Sequence, residues 1–174
     1  VKDKSDPAKK LTVMGTTIGS PYYMAPEQAQ GLETLDHRAD VWALAAITYE
    51  CLVGTVPFKG NNGPSILLEI LTKEPPAPST AAQGKPHPVP TTVDRVMLHA
   101  FKKNPTMRIA TVGAFADALG QAYGLTGTHR EWATVPQEQL QAAIAARLPE
   151  MMAQVAAPAP RDVADNFFGE SESL

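Results

Sequence analysis

Among the residues near the start of the chain able to take part in chemistry are the hydroxyls of Thr12, Thr16, Thr17 and Ser20. Each can accept a phosphoryl group, which adds about −1.5 to −2 charges near neutral pH together with three strong acceptor oxygens. On Thr12, Thr16 or Thr17 that charge would order the surrounding loop against an arginine. Tyr22 and Tyr23 follow Ser20 closely. Their aromatic bodies suit plain packing. Asp40 stands at the head of a long apolar run. A carboxylate there is costly unless it receives hydrogen bonds, and capping of a helix N-terminus is the simplest way to supply them.

Other chemistries are excluded by the residues available. Cys51 is the only cysteine, so the sequence allows neither an intrachain disulfide nor a cysteine-based zinc site. The four histidines, His37, His87, His99 and His129, have no metal-ligand spacing. Asn104-Pro105-Thr106 carries proline in its middle position and is no glycosylation acceptor. A formal net charge of −3 gives no reason to expect nucleic acid or an anionic membrane as a partner. The sequence holds no apolar stretch of about 18 residues that would span a bilayer. Residues 1–7 lack the apolar core of a signal peptide. A reducing, cytoplasmic setting is therefore expected, and a first residue other than Met fits a fragment or a processed chain.

The elements that must position these residues follow from spacing. With 44% apolar residues in 174, a buried core is expected. Residues 1–17 read as an exposed loop, and 18–35 as irregular around Gly19, Pro21, Pro26 and Gly31. From Val41 to Val53 apolar residues occupy every face, which predicts a helix inside a core. Asp36 is its expected N-cap, and Gly54 followed by Pro57 its stop. Pro64 opens a shorter helix with Ile66, Leu67, Ile70 and Leu71 on one stripe. Six prolines between 75 and 90 predict an extended surface connection. Thr91 or Thr92 is expected to cap a helix carrying Val93, Val96, Met97, Ala100 and Phe101. A further helix near Thr111 carries Val112, Phe115, Ala116, Leu119 and Tyr123. Between 136 and 155, Leu140, Ile144, Leu148, Met151, Met152 and Val155 form a stripe broken by Pro149. That pattern predicts one kinked helix or two short ones. The Ala-Pro repeats and acidic end of 156–174 predict disorder. No strand pattern occurs before residue 130 and no internal repeat is seen, so the expected fold class is mainly α.

The stretch Gly19-Ser20-Pro21-Tyr22-Tyr23-Met24-Ala25-Pro26-Glu27-Gln28 resembles the end of the activation segment in serine/threonine protein kinases of the bacterial, eukaryotic-like type. Three further blocks follow in family order. They are Asp36-His37-Arg38-Ala39-Asp40-Val41-Trp42-Ala43-Leu44, then Leu52-Val53-Gly54-Thr55-Val56-Pro57-Phe58, then Lys103-Asn104-Pro105-Thr106-Met107-Arg108. The resemblance covers roughly residues 12–123. It implies the helical C-lobe of the protein-kinase fold, without the N-lobe or catalytic loop. It also implies an ion pair between Glu27 and Arg108 that closes the activation segment onto the lobe. Arginine suits this because its planar fork binds a carboxylate in two places. Asp40 would accept hydrogen bonds from a catalytic-loop backbone. Gly19, Ser20, Pro21, Tyr22 and Tyr23 would form the substrate-docking floor, and Thr12, Thr16 and Thr17 would be the phosphorylation candidates of the intact kinase.

The resemblance also implies what this stretch does not supply. The glycine-rich loop, the strand lysine, the catalytic His-Arg-Asp and the metal-binding Asp-Phe-Gly of the family all precede the activation loop. His37-Arg38-Ala39-Asp40 imitates a catalytic loop in outline only, because Ala45 stands where a magnesium-binding asparagine would be needed. The chain is thus expected to be a kinase truncated upstream of its activation loop, with no catalytic residue, no metal site and no cofactor of its own. ATP and Mg2+ are expected for the intact enzyme, with protein serine and threonine hydroxyls as substrates and the N-terminal kinase half as a partner. The alternative is a kinase-like scaffold or partner-binding module without catalysis. The expected organisation is a partial kinase domain at 1–127, an additional helical segment at 128–155 and an acidic tail at 156–174.

Overall fold

The computed structural model describes residues 20–33 and 35–154, and all statements about structure concern these. Gly19, Thr12, Thr16, Thr17, Val155 and the tail from 156 to 174 lie outside the described residues. The described residues are helical and contain no strand. In chain order a 3-10 turn at Pro21–Tyr23 leads into α1 (Pro26–Ala29), α2 (Arg38–Val53), α3 (Gly63–Thr72), α4 (Pro78–Ala81) and α5 (Thr91–Ala100). A second 3-10 turn at Pro105–Met107 precedes α6 (Val112–Ala122), α7 (His129–Trp132) and α8 (Gln137–Ala153).

The ends of these helices show how the sequence sets them. Gly54 stops α2 in the left-handed conformation, with φ 77°, and returns its N–H to Glu50 O at 2.7 Å. Glycine adopts that conformation without the steric cost of a Cβ. The amine of Lys85 then donates to the otherwise orphaned carbonyl of Val53. Asn62 opens α3 through reciprocal bonds with Ser65, and Thr111 opens α6 by accepting from Ala114 N–H at 3.1 Å. Three expectations need correction. His37, not Asp36, occupies the N-cap of α2, yet Asp36 Oδ1 still accepts the Arg38 N–H at 2.8 Å. Neither Thr91 nor Thr92 caps α5, which Pro90 precedes. Their hydroxyls donate instead to Gln154 O and Ala122 O, each at 2.7 Å, so long-range bonds have displaced the local one. The proline-rich connection is no simple surface strand, because Pro78 opens α4 and Asp94 of α5 accepts both the N–H and the hydroxyl of Ser79. Pro78, Ala82, Val89 and Pro90 are accordingly buried.

The core centres on α2. Ala39, Val41, Trp42, Ala45, Ala46, Tyr49 and Val53 are buried there. Trp42 stacks on Phe58 at 5.4 Å between centroids and meets Phe101 edge-on at 5.0 Å. Such arrangements suit the opposite charges of ring face and ring edge. Val93, Met97 and Phe101 from α5 and its end, Ile66 and Ile70 from α3 and Phe115 from α6 complete the cluster. The apolar surround of α2 is not closed on every side. Asp40 and Cys51 are exposed, Leu44 is half-buried and Ile47 is 47% exposed, and helical spacing puts all four on one stripe. Val112, expected on the apolar face of its helix, is exposed as well. The segment 137–153 forms one helix containing Pro149.

Because Trp42 touches both aromatic neighbours and has no exposed surface, Trp42→Ala is expected to destabilise the chain by about 3–5 kcal/mol. Denaturant unfolding checks this, and a loss below about 1 kcal/mol would place the main core elsewhere.

Candidate functional site

Residues 20–27 are held by two anchors. Tyr23 rises from the 3-10 turn and donates its hydroxyl to Glu50 Oε2 at 2.6 Å. That hydrogen bond to a carboxylate raises the tyrosine pKa above its ordinary value, so the phenol remains a donor. Glu50 is the only charged residue between Val41 and Val53. A lone acid within that apolar run was the available signal for this contact, which sequence reasoning missed.

The second anchor is buried. Pro26 starts α1 and Gln28 folds back to accept the Ala25 N–H at 2.9 Å, which turns Glu27 inward. There its carboxylate meets Arg108 in two parallel bonds, Nη1 to Oε1 at 2.7 Å and Nη2 to Oε2 at 2.9 Å. Glu27 is 4% exposed and Arg108 5%. The remaining guanidinium donors are also used: Nε reaches Lys102 O at 3.1 Å and Nη1 reaches Arg38 O at 2.7 Å. Charges out of water need this degree of satisfaction. The bond to Arg38 O fixes the first turn of α2, so one side chain joins the 20–27 segment, the central helix and the loop after α5.

Lys103, also missed as a site residue, backs this cluster. Its amine donates to Ile70 O at 2.6 Å, an end carbonyl of α3. It stands 4.5 Å above the Phe58 ring and 4.9 Å above Trp42. The Arg108 guanidinium lies 5.2 Å over the same indole. Burial, followed by the nearby Arg108 charge, lowers the Lys103 pKa to about 8, with Glu74 and Glu69 opposing.

The other expected site residues lie at the surface or just inside it. Ser20 is exposed, and Pro21, Tyr22 and Tyr23 are half-buried. Tyr22 and Tyr23 pack against the core cluster. Asp40 is exposed, and its carboxylate has no hydrogen bond or ion pair among the described residues. Glu27 and Arg108 are therefore brought together, whereas Asp40 stands apart from them. Among the described residues no three of His, Cys, Asp or Glu converge as a metal ion would require.

Two outcomes follow. Glu27→Gln or Arg108→Met should each cost about 3–5 kcal/mol, because each leaves a buried charge without its partner. The double variant that combines Glu27→Gln with Arg108→Met should lose less than the two single losses added, and a double-mutant cycle on unfolding free energies measures the difference. Additive losses would mean the pair is not coupled. Lys103 has a folded pKa near 8 against 10.5 for the free side chain, so the folded state binds fewer protons between these values. Stability should then rise with pH from about 8 toward 10. The window stops below tyrosine ionisation, because Tyr23 and Tyr49 carry raised values and act in the opposite sense. Denaturant midpoints over that range should rise in the wild type and rise less in Lys103→Met.

Comparison with known proteins adds the family. The protein kinase domain matches residues 3–122. The chain is 35% identical over 119 residues to the serine/threonine-protein kinase pkn3 of Myxococcus xanthus, covering 68% of this chain and 21% of that protein. It is 36% identical over 114 residues to PknE of Mycobacterium tuberculosis, with 66% of this chain and 19% of the relative covered. PknD of the same species is 35% identical over 126 residues, with 72% and 18% covered. The chain thus spans about a fifth of the length of the curated relatives it matches. With its family blocks, its helical lobe and this match in agreement, the chain belongs to the protein kinase domain family.

Proposed function

We propose that this chain forms the peptide-docking floor and helical base of a serine/threonine protein kinase, and that the whole protein transfers the γ-phosphoryl group of ATP to serine or threonine hydroxyls of protein substrates. The observation that carries this reading is the buried two-bond pair of Glu27 and Arg108, which locks the 20–27 segment against the helices. A docking floor must be rigid, because orientation of the acceptor hydroxyl contributes much of the rate in phosphoryl transfer. Ser20 is exposed at the edge of this locked segment, where its hydroxyl would reach catalytic groups supplied by the rest of the kinase domain. Gly19 would complete the floor, and Thr12, Thr16 and Thr17 are the proposed modification positions. All four lie outside the described residues.

The uncovered stripe of α2 supports a second part of the proposal. Asp40 and Ile47 are exposed and Leu44 is half-buried on a helix whose other faces are buried or half-buried, and the remaining kinase half would cover them, giving Asp40 its backbone donors. ATP and Mg2+ belong to that assembled enzyme. Residues 1–127 are taken as the kinase portion, 128–155 as an added segment and 156–174 as a tail. Cytoplasmic placement is part of the proposal; no helix among the described residues is long and apolar enough to cross a membrane.

The test uses the full-length gene product, purified with Mg-ATP and a general protein substrate. Transfer of label from γ-labelled ATP to serine or threonine is expected. Ser20→Val should lower kcat by about 100-fold and Ser20→Thr should retain most of it, as removal of a positioned hydrogen-bonding group does elsewhere. Absence of transfer by a folded protein would favour the scaffold reading. The 174-residue chain alone should give no specific heat on titration with Mg-ATP, and micromolar binding would overturn the assignment of the phosphate site to other parts of the protein.

A further inference from the structure

The chain beyond the kinase match at 3–122 folds back onto α6 and brings its last described residues to a cleft. Two glycines of α6 make room for this return. A Cβ at Gly113 would sit 2.8 Å from His129 Cε1, and one at Gly120 would overlap the Trp132 ring. Asp117, on the same helical face, accepts the His129 N–H at 2.6 Å. Farther on, Met151 is the buried residue of α8. Thr91 then donates its hydroxyl to Gln154 O at 2.7 Å, which fixes the backbone just past α8.

Met151 and Gln154 form one wall of a cleft of about 540 Å³ between α5, α6 and the end of α8. Val96, Ile109 and Ala118 contribute apolar lining. Arg95 and His99 line it too, both exposed and four positions apart on α5, so they share one face. Neither side chain has an ion-pair partner among the described residues. None of the described lining residues is acidic. A second cleft, of about 490 Å³ beside the end of α2, differs in that Glu69 and Glu74 line it. The first cleft therefore suits an apolar group that carries negative charge.

The sequence that follows Gln154 supplies such a group. Residues 161–174 hold Asp162, Asp165, Glu170 and Glu172 against one cation, Arg161, and Phe167-Phe168 lies among these acids. The other three phenylalanines, Phe58, Phe101 and Phe115, are all buried in the core. Covering a phenyl ring is favourable because it removes apolar surface from water. Residues 155–166 can span up to about 40 Å, ample to return the ring pair to a cleft whose wall is Gln154 itself. A connection of that length holds a tethered group at an effective concentration on the order of millimolar. Even a weak site is then occupied, and the segment orders as it binds.

We propose that residues 162–170 of this chain dock in the cleft between α5, α6 and α8, with the Phe167 and Phe168 rings against Val96, Ile109 and Met151 and the acidic side chains on Arg95 and His99. Methionine-methyl NMR of the 174-residue chain tests this, because Met151 lines the cleft while Met97 reports on the core. Replacing Phe167 and Phe168 together by serine should shift the Met151 methyl signal, through loss of the rings, and leave Met97 in place. That shift should not depend on chain concentration. Chymotryptic cleavage at Phe167 and Phe168 follows the undocked fraction, and Arg95→Glu should raise it severalfold. An unmoved Met151 signal in the serine variant would overturn the proposal, as would unchanged cleavage in Arg95→Glu. A Met151 shift that grows with concentration would also overturn it, since the rings would then come from a second copy.

Discussion

A carboxylate and a guanidinium that have both left water constrain each other far more strictly than two surface charges do. Glu27 and Arg108 are 81 positions apart in sequence, and their two parallel bonds make the ends of the lobe's core one unit. The cost of dehydrating both ions is offset by the two charge-assisted bonds between them and by the further bonds that Arg108 makes to backbone carbonyls. Arg108 spends its other donors on the backbone of Lys102 and Arg38. The shape of the 20–27 segment, the start of α2 and the loop leaving α5 thus depend on one another.

Around this pair the packing is aromatic and cationic. Trp42 lies between Phe58 and Phe101, with the charged ends of Lys103 and Arg108 over its ring. A ring face is negative, so the two cations find a partner that needs no second carboxylate. Trp42 Nε1 nevertheless has no hydrogen-bond partner among the described residues. The cluster meets the packing demands of the rings before the polar demands of the indole.

Much of this was readable in the sequence because it is periodic or lies in a contiguous block. The run from Val41 to Val53 announced a central helix, and the order of the blocks placed Glu27 and Arg108 in one family. Contacts made by side chains on backbone carbonyls left no comparable trace. The Lys103 amine on Ile70 O and the threonine hydroxyls on Ala122 O and Gln154 O join residues whose spacing follows no helix or strand period. Thr91 and Thr92 had the composition of caps, but their hydroxyls found acceptors 63 and 30 positions away. Proline content suggested an extended connection at 75–90. It could not show that Asp94 would secure a helical turn there by binding Ser79. The glycines of α6 would ordinarily be read as weak points in a helix, and their purpose is visible only with Trp132 and His129 in place.

The open stripe of α2 ends at Cys51, an exposed thiol and the sole sulfhydryl of the chain. A maleimide dye or nitroxide label attached to this 174-residue chain therefore lands at one address, a single helical turn from Ile47 and beside the Glu50 that Tyr23 grips. Its spectrum would register whether the neighbouring surface is wet or covered, so the chain carries its own attachment point for observing assembly.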